Sequence, residues 1–568
     1  MERPVRGRKT ADSRGTPTAA RGWGTTKQRY YAARRTVKEA GPVSLQRGGN
    51  QQAERIPAAD WLRRGSGRES RILTREHNVT LAGIKTEVGL DDDMERTAAA
   101  GHRMLDDTIE FLSSVRDRRV WTAPPEDVKR KLTNPSPPID GAGIEAAYDD
   151  FKQLVRPYTL GNIHPRFWGW VIGASSPAGM LADMLAGGMN VNVWGAEESA
   201  AYVEAQVLQW FKSVFAYPAD ASGLLVSSGS MANLVALTVA RDAAGGAALI
   251  DEGLHAAPHL VAYCSTETHN SNDKAASILG VGRRNLRKIA ADRDYRIDTD
   301  ALRTAIAEDR TAGRTPFCII ANCGTVNTGQ IDDLRALRRI ADEERLWLHV
   351  DGAFGALLVL SPSLRPLVAG IEQADSIAFD LHKWMNMPYD VACVLIRDAA
   401  AHGRSFSPPA NYLTQLDGGV ASGPHHWGHL GPDLSRGARG LKVWLLLKTF
   451  GFSRFAQIVE QNVAQAHHLG ALIDASDELE LLTPVVTNCV CFRYRPPAVD
   501  EDALNALNRR LLVRIQESGV AVPSSTVLRG AFAIRLAIVN QRSRMHDFDE
   551  FIRDVLQIAR AMTAGAKE

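Results

Sequence analysis

Two charged residues in apolar surroundings frame the chemistry open to this chain. Lys383 lies in Phe379-Asp-Leu-His-Lys-Trp384, after the predicted strand Asp375-Ser-Ile-Ala-Phe379 and before the apolar run Val391-Ala-Cys-Val-Leu-Ile396. A strand end between apolar runs desolvates an ammonium ion and favours the neutral amine, which can form a Schiff base with a carbonyl. Earlier in the chain, Leu346-Trp-Leu-His-Val-Asp-Gly-Ala-Phe-Gly355 reads as a buried strand ending in Asp351. An aspartate there can keep a pyridinium nitrogen protonated. Each has an ordinary reading alone, since Asp before Gly suits a turn and a His-Lys pair suits a solvated surface. Together they fit a carbonyl-bearing pyridine, pyridoxal phosphate (PLP), whose ring is an electron sink.

The order His349-Val350-Asp351-Gly352-Ala353, then His382-Lys383-Trp384, resembles the group II PLP-dependent decarboxylases, the family of aromatic-L-amino-acid, histidine and glutamate decarboxylases. Their pattern runs His-Val-Asp-Ala-Ala and, after a similar gap, His-Lys-Trp. The resemblance implies the PLP-dependent transferase fold type I, a homodimer, and an α/β large domain whose sheet is mostly parallel. A smaller carboxyl-terminal α/β domain and an amino-terminal helical segment complete it. Lys383, His269 and Asp351 are the implied catalytic residues, and the reaction is decarboxylation of an L-amino acid to its amine and CO2.

The resemblance extends along the chain. Gly223-Leu-Leu-Val-Ser-Ser-Gly-Ser-Met-Ala-Asn233 reads as strand, small-residue turn and helix start, whose N–H groups suit a phosphate. It is similar to the family's Ser-Ala-Ser-Glu-Ala and implies phosphate contacts from Gly229 and Ser230. Tyr263-Cys-Ser-Thr-Glu-Thr-His-Asn-Ser271 resembles Ser-x-x-x-His-Ser-Ser, with His269 implied to stack on the ring and Asn270 standing where the family has Ser. Phe317 to Gly329 ends in a Gly-Thr resembling the family's, which puts Thr325 beside the cofactor. Ala353 follows Asp351 in the motif, and His382 is expected near the phosphate. His164-Pro-Arg-Phe-Trp-Gly-Trp170 resembles the substrate entrance and implies contacts from His164 and Trp170, with Phe167 and Trp168 either wall or core.

An aromatic substrate of the tryptophan or tyrosine class is expected, because flat rings stack on such a segment. Alternatives stay open. Arg166 lies close enough in sequence to recognise glutamate- or diaminobutyrate-type substrates. Aromatic members of the family carry a mobile-loop tyrosine that delivers the Cα proton. No tyrosine stands between Leu413 and Trp444, where His425, His426 and His429 occur instead. A histidine can serve as the acid, or the missing tyrosine favours an oxygen-dependent aldehyde synthase. A fold-type I aminotransferase shares Lys383 and Asp351 but needs an arginine clamp that the sequence does not identify. An intact Lys383 speaks against a non-catalytic homologue.

These residues need a scaffold, and the pattern supplies one. Strands alternate with helices across roughly 220–400, which implies a parallel sheet with sites at its strands' carboxyl ends. The chain has 568 residues, 45% hydrophobic and 23% charged, as in a globular protein. No uninterrupted apolar run of membrane-spanning length occurs, so no membrane association is expected. The six cysteines lack a CxxC pair, which predicts buried reduced thiols, no metal and a cytoplasmic location.

Residues 1–93 hold 19 Lys+Arg against 11 Asp+Glu, and the remainder 48 against 54. The first stretch has few periodic apolar residues and reads as a disordered basic extension before a family-like start at Met94. It lacks interleaved aromatics for nucleic acid and a clear amphipathic transit helix. The remaining divisions are a helical dimerisation segment over 94–150, a PLP-binding large domain over 151–450 and a small domain over 451–568.

Overall fold

The computed structural model describes residues 89–90, 93–256, 259–407 and 415–564. The extension read over 1–93 lies almost wholly outside them. Leu90–Glu568 forms one compact unit by its contacts.

Helices α1 (Met94–Ser113), α2 (Glu126–Leu132) and α3 (Ile144–Asp150) come first. Asp93 caps α1 by accepting the Arg96 N–H, and Pro125 precedes α2, where its missing N–H costs nothing. α4 (Pro177–Met189) and α5 (Ser199–Val214) lead into the main sheet.

That sheet has seven strands: β1 (Ser222–Val226), β2 (Leu260–Ser265), β3 (Leu286–Ile289), β4 (Thr315–Asn322), β5 (Trp347–Asp351), β6 (Ser376–Asp380) and β7 (Ala392–Ile396). Their order is β1-β7-β6-β5-β4-β2-β3. Pairings among β6, β5, β4, β2 and β3 are parallel, whereas β7 runs antiparallel to both β1 and β6. The connection 381–391 is too short for a parallel crossover, so β6 must turn straight back into β7. Lys383 sits in that turn. Between strands lie α6 (Gly229–Glu252), α7 (Ser271–Ile278), α8 (Thr299–Thr311) and α9 (Leu334–Glu344). α6 is long and apolar enough to cross a membrane, but its residues Val235, Ala236 and Val239 are buried in the sheet's core.

α10 (Ala399–Phe406) and α11 (Arg439–Asp474), the latter broken at Gly451 where φ is +69°, lead to the second sheet. Its strands β8 (Leu479–Leu481), β9 (Cys489–Tyr494), β10 (Ser524–Leu528) and β11 (Ala531–Ala537) are all antiparallel, in the order β10-β11-β9-β8. α12 (Glu501–Ser518) and α13 (Met545–Ala564) cover it. Trp168 belongs to this second core: its ring stacks on Phe548 at 4.7 Å and meets Phe551 edge-on at 5.3 Å. Its backbone bonds Val522 O and Ala537 N, so the entrance segment is stitched to the second sheet.

Candidate active site

The carboxyl ends of β4 and β5 and the turn after β6 meet around a cavity of about 250 Å³, and the amino end of α6 reaches Asp380 at the end of β6. Trp170, His269, Asn322, Asp351, Ala353, Lys383 and Arg535 are among the residues that line it.

Asp351 ends β5 facing a row of neutral donors. Its Oδ2 accepts from Asn233 Nδ2 on α6 and from Asn272 Nδ2 on α7, each at 2.9 Å. Its Oδ1 takes only a long bond from the Ala353 N–H, 3.3 Å. His349 points to the same face of β5, because strand side chains alternate with period two. Trp347 Nε1–H donates to Ser376 Oγ at 2.8 Å, which leaves the Ser376 hydroxyl proton for His349 Nδ1 at 2.9 Å. His349 Nε2–H then donates to Asn233 Oδ1, also 2.9 Å. That contact turns the Asn233 carboxamide so that its N–H groups face Asp351 and Ser271 Oγ. Ser271 in turn bonds His269 Nδ1 through its hydroxyl (2.8 Å) and backbone N–H (3.2 Å). Nδ1 therefore accepts, and the remaining proton of a neutral ring sits on Nε2. Burial pushes His349 down to about 4 and lowers His269, with Asp351 opposing in part. Both imidazoles are neutral near pH 7.

Lys383 Nζ lies 2.7 Å from Asp380 Oδ2. The other Asp380 oxygen accepts the Gly229 N–H at the start of α6. His382 Nδ1 accepts from the Val391 N–H at 3.2 Å, and burial lowers its pKa.

Comparison with known proteins decides the family. Residues 125–495 match the pyridoxal-dependent decarboxylase conserved domain. An aromatic-L-amino-acid decarboxylase of Bacillus atrophaeus is 34% identical over 82% of this chain and 96% of its own length. A phenylacetaldehyde synthase of Arabidopsis thaliana is 28% identical over 78% of this chain and 92% of its own. Among solved structures, Oryza sativa TDC with PLP and tryptamine superposes with a TM-score of 0.77 at 25% identity, covering 84% of this chain and all of that one. The chain belongs to the pyridoxal-dependent decarboxylase family. It is a PLP-dependent carboxy-lyase acting on an amino acid.

The decarboxylase's own residues fit that cofactor. Asp351 lines the cavity with Oδ1 nearly unpartnered, room for a ring N–H, while Oδ2 is fully engaged. The Gly229 N–H already receives a carboxylate, so the α6 amino end accepts an anion.

Not every residue singled out in the sequence meets there. Thr325 is fully buried and spends its hydroxyl on Thr328 and the Gln330 N–H, shaping the turn whose Gly324 and Val326 line the cavity. Ser230 is exposed at the start of α6. His164 lies elsewhere: its Nδ1 accepts from the Arg166 N–H, and it lines a separate hollow with Val120 and Trp121. Of the entrance aromatics, Phe167 and Trp168 are core and only Trp170 lines the cavity. His425, His426 and His429 are not among the lining residues. They stack with Trp427 and each other.

Sequence reasoning missed Asn233, Asn272, His349 as an orienting group, Asp380 and Arg535. Asp380 stood within the motif, three residues from Lys383, and its charge was the available signal. The others gave no local one.

Proposed function

We propose that the enzyme decarboxylates an aromatic L-amino acid, of the tryptophan or tyrosine class, as a cytoplasmic homodimer. The observation that carries this is the cavity's lining: an indole from Trp170, apolar Val171, Val326 and Phe354, and, among the described residues that line it, no cation left unpaired, since Lys383 is held by Asp380. Arg535 lines it too, but its guanidinium donates to Asn327 O (2.8 Å), Val326 O (2.8 Å) and Trp170 O (3.0 Å). Arg166 pairs instead with Asp554 and Glu550. An acidic side chain would need a free guanidinium. The names of the Bacillus and Oryza relatives point the same way.

Lys383 would hold the cofactor, Asp351 would keep the ring nitrogen's proton, and Gly229 with its neighbour Ser228 would receive the phosphate, Ser230 contributing at most its backbone N–H because its side chain is exposed. Bound there, PLP supplies the electron sink for the pair left when CO2 departs. His269, neutral and held through Ser271, presents Nε2–H to the cavity and can orient bound groups or pass a proton. The homodimer reading is supported by apolar side chains left exposed on and near the first helices, Met94, Ile109, Phe151, Val155 and Leu160. All six cysteines are free and buried, which suits a reducing compartment.

A second reading, oxygen-dependent conversion to an aldehyde, is favoured by one observation. Among the described residues that line the cavity there is no tyrosine to protonate Cα, and one relative is a phenylacetaldehyde synthase. A panel of L-amino acids with amine, CO2, aldehyde and peroxide all measured tests both. Amine and CO2 in equal amounts from an aromatic substrate support the first. Faster turnover of glutamate or diaminobutyrate would sink it.

A further inference from the structure

Asp380 is buried to 1% exposure at the end of β6, yet it serves two clients. Oδ2 pairs with Lys383 Nζ at 2.7 Å, while Oδ1 accepts the Gly229 N–H at 2.5 Å. The approach to α6 is so close that a Cβ on Gly229 would stand 2.6 Å from Asp380 Oδ2. His382 adds no charge of its own: with Nδ1 accepting from Val391, its proton lies on Nε2, 3.5 Å from Asp380 Oδ1. One carboxylate thus holds both groups that PLP must engage, the helix N–H and the lysine amine.

We propose that Asp380 is an internal stand-in for the phosphate, and that arrival of a phosphate at α6 makes Asp380 take a proton from Lys383. The proposal rests on the α6 amino end being the phosphate site. A phosphate there removes the Gly229 N–H from the carboxylate and brings a second negative charge beside it. Losing a donor and gaining a like charge both favour the neutral carboxyl form; the phosphate also favours the Lys383 ammonium, but less, because the Gly229 N–H meets Asp380 Oδ1 directly whereas the amine lies beyond it on Oδ2. The nearest proton is on Lys383 Nζ. Once it passes to Asp380 Oδ2, the amine's lone pair bonds the aldehyde carbon. The two protons left on nitrogen depart with the carbonyl oxygen as water. One ammonium, one carboxylate and one aldehyde become one C=N link, one carboxyl group and one water. Loading is thereby gated, since the amine is freed only when the phosphate end is seated.

Pyridoxal, an aldehyde without the phosphate, separates the two halves of this coupling. The full-length protein stripped of cofactor is mixed with pyridoxal, with and without inorganic phosphate. Capture is trapped by borohydride and located at Lys383 by peptide mass. Phosphate is expected to speed capture by about tenfold, the equivalent of one unit of proton affinity. In Asp380→Asn, which cannot accept the proton, that dependence is expected to vanish. A wild-type rate that phosphate leaves unchanged or slows overturns the coupling, as does an Asp380→Asn variant that keeps the full phosphate effect. Should that variant fail to fold, the wild-type phosphate titration decides alone. Absence of any Lys383 adduct, with pyridoxal or with PLP, would instead overturn the cofactor assignment beneath the proposal.

Discussion

Asp351 and Asp380 end neighbouring strands, both nearly buried, yet they are held in opposite ways. Asp351 is fixed by the carboxamides of Asn233 and Asn272, and Asn233 is fixed in turn by His349. None of these donors belongs to a group assigned to the cofactor in the proposed site, so that end of the cavity is set before anything binds. Asp380 is held by Lys383 and by the Gly229 N–H, both of which the proposed cofactor site would recruit. The contrast separates a preorganised contact, which costs no rearrangement when charge develops, from an exchangeable one.

Replacing Lys383 by Ala at the exchangeable end has the largest expected effect: turnover and covalent capture of PLP both disappear, while the melting transition survives. Residual turnover near that of wild type would remove Lys383 from the chemistry. At the preset end, Asp351→Ala is expected to lower kcat by about 10²- to 10³-fold, the usual loss for one preorganised electrostatic contact. A change of only a few-fold would mean that Asp351 does not face the ring nitrogen.

His349→Phe sharpens the comparison, since it touches neither ligand nor Asp351. It leaves Asn233 Oδ1 unpaired and free to turn, so kcat is expected to fall roughly tenfold, the scale of one net hydrogen bond, with KM little changed. Gln, which retains a donor, should recover part of it; equal losses in both variants would argue for packing alone.

The same burial has a pH signature. His164, His349 and His402 are each pushed down to about 4 by desolvation. Below about pH 6.5 the unfolded chain takes up protons that these rings refuse when folded. Stability is therefore insensitive to these groups above that pH and falls as pH drops from there toward 4. A melting temperature constant through this window would contradict the assignment.

Smaller effects are expected at the entrance. Trp170→Ala should raise KM for an aromatic substrate by about 2- to 10-fold, the energy of one ring pair, with a lesser change in kcat. Arg166→Ala should leave substrate choice untouched and cost under about 1 kcal/mol of stability, because its ion pairs are partly exposed. A shift in substrate preference in that variant would return Arg166 to the site.

That Lys383, Asp351 and His269 share one cavity was legible in the sequence because their signals are local. Each follows an apolar run, and strand ends on a parallel sheet gather along one edge whatever the loops do. The strands were legible for the same reason, with period and burial written into consecutive residues. Tertiary structure alone decided which partners meet them. Asn233, Asn272 and His349 come from α6, α7 and β5, and their meeting depends on a sheet order that no single segment encodes. Trp168 and Trp170 are the same residue type two positions apart. One is core because Phe548 and Phe551 arrive from α13, and the other lines the cavity. Arg166 and Arg535 diverge likewise: carboxylates from α13 occupy the first, and the second reaches three carbonyls around the cavity. Local pattern fixes what a residue can do. Where its hydrogen bonds are spent is set by groups hundreds of residues away, because a buried donor or acceptor must find a partner wherever the folded chain brings one.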